Sequence, residues 1–449
     1  MKWEKTAASI LRWPRLAVSA ALTVSLAINS TASAEDWPSW QGPNRDNKSA
    51  ETGLLDSWPE GGPPLAWQVN SVGLGYSSPS VVGDSIYILG SRDGKSELLC
   101  LSVSDGAERW AVELNDKPFD FKGNAWGIGP RAAATVADGR VFALAGDGKL
   151  VACSVKGDVL WRVDMQANLG GAVNPIGGGP KNIGWGYCWS PLVDGNKLIC
   201  VPGGDDGLLA ALDCSTGNVL WRSSELKGMA TYSSPIVATI GGVKQYIVMT
   251  QSGVAGVDAS DGGLLWEHVR SRAYSDVVIP TPVQHEQFVY VSVGYGGAGC
   301  DLLEISQSGD AFEAKSLYSS RNSKNMKNNL GGFVLEDGHI YGCSDRRGWV
   351  CQNLESGKLN WYKRGASGFG DGSLIQADGH LYLFDERDSE VALVKATPED
   401  WNVKGRFKLP AASPQRAPSG RAWTHPVIAG GKLYLRDQEL LYSYDISKP

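Results

Sequence analysis

Few residues of this chain stand at the spacing a reaction demands. The five histidines, at positions 268, 285, 339, 380 and 425, occur singly and show no metal-ligand spacing. Four of them fall at or near expected hairpin turns or strand starts, where a solvated surface histidine is the ordinary outcome. Gly203-Gly204-Asp205-Asp206-Gly207 lacks the alternating acids and distal glutamate of a calcium loop and reads as an acidic turn. The glycine runs 177–179 and 294–299 lack the strand–glycine–helix setting of a phosphate cradle. No serine sits in a Gly-x-Ser-x-Gly elbow. Two acids brought together from distant strands would still make a hydrolase, and that alternative stays open.

Binding is better supported than reaction. Short segments rich in aromatic residues recur through the chain, and they carry Tyr76, Trp126, Arg131, Trp185, Tyr187, Tyr232, Asn329, Asp371 and His425. Ring faces with a few converging amides and charges are the usual furniture of a ligand pocket. The alternative is that these aromatics merely pack loops.

The elements that must position them are strands. A Ser-Pro or equivalent opens a strand at Ser78-Pro79, Ser190-Pro191, Ser234-Pro235, Thr281-Pro282 and His425-Pro426. A tight turn follows, such as Gly83-Asp84, Asp138-Gly139, Asp194-Gly195, Gly241-Gly242, Asp337-Gly338, Asp378-Gly379 or Gly430-Gly431. Such pairs tolerate the positive φ of type I′ and II′ hairpins. His285-Glu286 stands where the remaining turn belongs. The turns recur every 41 to 56 residues, so eight units fill the chain.

A turn glycine followed four residues later by tryptophan marks Trp110, Trp161, Trp221, Trp266 and Trp361. The unit near Gly309 has Glu313 at that place, and the unit with Asp378-Gly379 also lacks the tryptophan. One four-stranded unit cannot bury its own faces, whereas a closed ring of them can. The expected fold is therefore all-β: an eight-bladed β-propeller of four-stranded antiparallel blades, with the tryptophans docking blade on blade. The C-terminal unit is one strand short, and Leu65-Ala66-Trp67-Gln68-Val69 resembles the missing strand. An N-terminal strand is thus expected to complete the last blade, with Trp67 as its docking residue. Trp37 to Trp58 is expected to lie across the disc, chiefly for packing.

The first 34 residues read as a secretory signal peptide: Lys2, Lys5, Arg12 and Arg15, an apolar run from Leu16 to Ile28, then Ala32-Ser33-Ala34. Cleavage near Ala34 leaves an extended segment, 35–64, and a propeller, 65–449. The leader carries net +3, so its loss takes the formal charge from −6 to −9, which gives no attraction for nucleic acid or anionic lipid. No cysteine stands at the cleavage site to take a lipid anchor. The eight cysteines allow too many pairings for any to be assigned. A periplasmic or secreted monomer without a stable membrane anchor is expected.

The copy Ala211-Leu212-Asp213-Cys214-Ser215-Thr216-Gly217-Asn218-Val219-Leu220-Trp221 carries a resemblance. Its pattern, with the leading Asp36-Trp37-Pro38-Ser39-Trp40-Gln41-Gly42-Pro43 and the closing Leu433 to Gln438, is similar to exported bacterial PQQ-binding-like β-propeller repeat proteins. That superfamily holds quinoprotein alcohol dehydrogenases and the assembly lipoprotein BamB. The resemblance implies the propeller and, in the dehydrogenases, PQQ held under a ring of two adjacent cysteines with a calcium ion. No Cys-Cys pair occurs here. We therefore expect no cofactor and a non-catalytic binding or scaffolding module, with a protein, peptide or glycan partner at the channel mouth. The alternative is a PQQ-dependent dehydrogenase, with calcium, acting on an alcohol or polyol polymer.

Overall fold

A computed structural model describes residues 35–115, 126–174, 184–270, 277–295, 299–320, 325–345, 347–363 and 369–449. The expected signal peptide, the first glycine run and Gly365-Ala366-Ser367-Gly368 lie outside them. The described residues form eight sheets, and within each blade consecutive strands pair antiparallel. Blades 1 to 7 span residues 80–113, 135–164, 192–222, 236–269, 283–320, 333–363 and 372–408. Blade 8 joins Val427–Ala429, Lys432–Asp437 and Leu440–Asp445 to Leu65–Val69, which pairs antiparallel with Leu440–Asp445. One short α-helix, Met165–Leu169, is capped by Asp164 and stopped by Gly170 in the left-handed region. The protein is an eight-bladed β-propeller. The turn at His285-Glu286 is also present, with Glu286 at φ 51°.

The recurring glycine and tryptophan act across blades rather than within one. Each outer strand shifts register by one residue just before its docking position, as between Val159 and Trp161 or around Trp221. Such a bulge re-aims the next side chain, here toward the following blade. Trp110 donates its indole N–H to Val155 O at 3.2 Å, Trp161 to Cys214 O at 3.0 Å and Trp361 to Thr397 O at 2.9 Å. Trp67 reaches Val103 O at 2.9 Å, from blade 8 to blade 1. The rings of Trp67, Trp110 and Trp161 lie on the turn glycine of the next blade, whereas Trp361 packs on Trp401. A Cβ on Gly157 would stand 2.9 Å from Trp110, and one on Gly217 2.9 Å from Trp161. Gly217 also has φ +75°, so Gly217→Ala meets both backbone strain and the ring. A loss of about 2 kcal/mol is expected in urea unfolding, and an unchanged midpoint would break the pairing of glycine with tryptophan.

The copies without a tryptophan are filled in other ways. In blade 5, Tyr318 takes the docking place: its hydroxyl donates to Leu354 O at 2.7 Å, and its ring lies 3.1 Å from the Cβ position of Gly357. In blade 7 the residue after the bulge is Gly405, and the space belongs to Trp58 of the N-terminal segment. Trp58 packs against Phe407 and Tyr382, with centroids 5.3 and 5.9 Å away. Trp266 docks differently from its fellows. It belongs to a core cluster shared by blades 4 and 5, but its N–H bonds Gln245 of its own blade at 2.5 Å.

The Ser-Pro positions knit the inner strands together. Ser78 Oγ accepts from His425 N, Ser190 Oγ from Ala133 N, and Ser234 Oγ from Ser190 N, each passing from one blade to the next.

The segment before the first blade touches all eight. Trp37 pairs with Val81 of blade 1, and Pro38 O accepts from Val136 N of blade 2. Arg45, 3% exposed, donates to Ser190 O, Pro191 O and Pro235 O on blades 3 and 4. Trp40 bonds Thr281 of blade 5 at 2.9 Å, and Lys48 bonds Glu336 of blade 6. Lys48–Ser49 runs parallel to Gly372–Ala377 of blade 7, and Glu51 accepts from Gly430 and Gly431 N–H on blade 8. Gln41, Arg45 and Asn47 take positive φ, near 60°, to make this winding path. Residues 36–51 therefore plug the axis.

Candidate functional site

The plug turns the axial channel into a blind cavity of about 350 Å³. Trp40 supplies part of its wall and packs on His425, with ring centroids 4.5 Å apart. Tyr76, Trp126, Trp185, Tyr232 and Trp423 add further rings. Tyr76 lies 5.3 Å from Trp423; Trp185 lies 5.7 Å from Trp126 and 5.2 Å from Tyr232. These residues stand where the chain passes from one blade into the inner strand of the next, so separate blades converge on one point.

Six of the nine residues expected at the mouth are gathered here: Tyr76, Trp126, Arg131, Trp185, Tyr232 and His425. Three are not. Tyr187 is fully buried, its hydroxyl on Pro202 O at 3.1 Å and its ring against the Cβ position of Gly148. Asn329 and Asp371 lie outside the cavity wall, and Asp371 is exposed and accepts from the Cys343 thiol. Sequence reasoning missed Trp40, Tyr295, Ile279 and Leu330. Only Trp40, in the leading Trp-Pro-Ser-Trp, carried a signal that would have found it.

Among the described residues the lining is uncharged apart from one arginine. The Arg131 guanidinium lies 5.0 Å from the Tyr76 centroid and donates to Gly127 O and Gly129 O, both at 3.1 Å. Burial pushes His425 down to about 4, and its Nε2 meets Leu330 O at 3.2 Å, so the ring is neutral at pH 7. Burial likewise raises the Cys188 thiol to about 12.

A carboxyl stands behind the wall. Glu386 accepts from the Trp423 indole at 2.9 Å, and burial, with Asp371 and Asp385 nearby, lifts it from 4.5 to about 7. A raised carboxyl favours the fold below its unfolded value and loses that contribution as pH climbs through the folded one. Glu386→Gln is therefore expected to stabilise the protein by about 2–3 kcal/mol at pH 8 and hardly at all at pH 4. Melting curves at the two pH values check this; an equal shift at both would show that ionisation is not the cause.

The fold and this cavity define a PQQ-repeat β-propeller with a blind aromatic axial site. Residues 59–164 and 94–307 match the family profile described as outer membrane protein assembly factor BamB. That is more than half the chain, and the protein belongs to this family. No curated protein sequence matches significantly. Among solved structures, the quinohemoprotein alcohol dehydrogenase from Comamonas testosteroni is similar, with 11% identity and a TM-score of 0.60 over 94% of this chain and 82% of that one. One from Pseudomonas putida shows 14% identity and a TM-score of 0.58 over 92% and 80%. BamB from Moraxella catarrhalis shows 16% identity and a TM-score of 0.42 over 85% of each chain. At these identities the likeness is one of fold.

Among the described residues, the cavity lining offers no carboxylate and no side-chain amide to hold a quinone with calcium. Among the described residues no three of His, Cys, Asp and Glu gather as a metal site, and the eight cysteines stand free.

Proposed function

We propose that the protein is an exported, non-catalytic propeller that binds a polypeptide or glycan partner at the mouth of its axial cavity. One observation carries this reading: aromatic rings from separate blades converge on one cavity, and its described lining residues include no carboxylate and one charged group, Arg131. The Cys188 thiol donates to the carbonyls of Trp185 and Gly186, and Ser234 Oγ accepts from Ser190 N. His425 is neutral and meets a carbonyl. What remains is an aromatic surface, which recognises rather than reacts.

Export rests on the basic leader and apolar run. Among the described residues no helix is long and apolar enough to cross a membrane. The description of the family as an assembly factor supports a protein partner. The full chain without its leader, given PQQ and calcium, is expected to show neither binding in equilibrium dialysis nor dye reduction with alcohols. Peptide and glycan arrays are expected to yield ligands that Ile279→Trp, which fills the cavity, no longer holds. Dye reduction dependent on PQQ would overturn the reading.

A further inference from the structure

Most polar atoms around this cavity bond to the protein itself. Tyr76 OH donates to Trp126 O, and Tyr232 OH to Asn174 O at 3.2 Å. The Trp40 and Trp423 indoles donate to Thr281 and Glu386, both at 2.9 Å. Arg131, Ser234, His425 Nε2 and Cys188 are engaged as described above. Trp185 Nε1 and His425 Nδ1 are buried without partners among the described residues.

A sugar brings a hydroxyl on nearly every carbon, and few of these would regain a partner here for the water they lose. An anion would face the negative ring faces, and a cation would meet Arg131 in the same lining. An uncharged ring loses little and meets ring faces on several sides, in the tilted and edge-on geometries that aromatic groups prefer. The site also extends to the surface: Trp126, a lining residue, is 38% exposed. A free ring inside would leave that outer part in water, whereas a chain carrying the ring would cover it. The far end is closed by the plug, so a side chain enters but a chain cannot thread through.

We propose that the cavity receives an aromatic side chain presented by an extended polypeptide, recognised by ring faces and rim contacts rather than by directed hydrogen bonds. This rests on the reading of the channel mouth as the binding site and names its ligand.

The test uses the full chain without its leader and a dye-labelled peptide, Gly-Ser-Trp-Ser-Gly, followed by fluorescence polarisation. A lysine-centred peptide, N-acetyltryptophanamide and cellotetraose are the comparison probes. The tryptophan peptide is expected to bind at least tenfold more tightly than the lysine peptide and than N-acetyltryptophanamide. It should also raise the melting temperature by several degrees, because a ligand that binds only the folded chain stabilises it. Ile279→Trp should abolish both effects. Trp126→Ala, at an exposed position that leaves folding intact, should weaken binding threefold or more.

Equal affinity for N-acetyltryptophanamide would overturn the polypeptide as occupant. A melting shift with cellotetraose but not with the peptide would overturn ring recognition while leaving the channel-mouth site standing. Binding that survives Ile279→Trp, or no melting shift with any probe, would remove the site itself.

Discussion

Arg436→Ala is expected to destabilise the protein by about 3–5 kcal/mol, among the largest losses any single change here should produce. The side chain is fully buried on blade 8. Its guanidinium donates to Ser77 O at 2.8 Å, Leu89 O at 2.6 Å and Gly73 O at 2.9 Å, all in or just before blade 1, and to Gln438 O at 2.7 Å. Truncation leaves four buried carbonyls without donors, and each pays its desolvation unpaired. Lysine does not rescue, because a single ammonium lacks the planar fork that reaches several acceptors at once. Urea unfolding of the two variants checks this. A loss below about 1 kcal/mol would mean that water enters and replaces the guanidinium.

Trp58→Ala is expected to cost a similar amount, about 3–5 kcal/mol. The ring is 7% exposed and fills the docking place that blade 7 leaves empty by carrying Gly405. A Cβ on Gly405 would lie 2.5 Å from Trp58 Cβ, so Gly405→Ala should destabilise as well, and the two losses should not add. If Trp58→Ala melts with the wild type, the N-terminal segment is an ornament and the interface between blades 7 and 8 stands without it.

Both predictions concern places where the chain meets itself across more than 300 residues, and that explains which features were legible beforehand. The strands, the hairpin turns and the tryptophans at 110, 161, 221 and 361 follow local rules of alternation, positive φ and fixed spacing, so each could be read within a dozen residues. Tyr318 escaped because it stands nine residues after Gly309 rather than four, near the end of a long hairpin, Cys300–Ser308 with Ala311–Ser320. Trp58 escaped because no rule of spacing connects it with Gly405. The mouth was legible in kind and only partly in membership. Tyr187 sits between Trp185 and Trp189 in an aromatic run, yet its ring turns beneath the wall while Trp185 faces the cavity.

By itself, then, the amino-acid order determined the repeating unit, the number of units, the residues that glue neighbours and the aromatic character of the connections. These are properties of short stretches, where side-chain periodicity and backbone preference act over a few ångströms. The tertiary structure alone decided that residues 36–51 stop the axis, that Trp58 serves blade 7, and that most polar atoms around the cavity are engaged by the surrounding protein. Those outcomes depend on which distant groups fill each other's vacancies once the ring closes, and burial on an axis shared by eight blades cannot be assigned from any one of them.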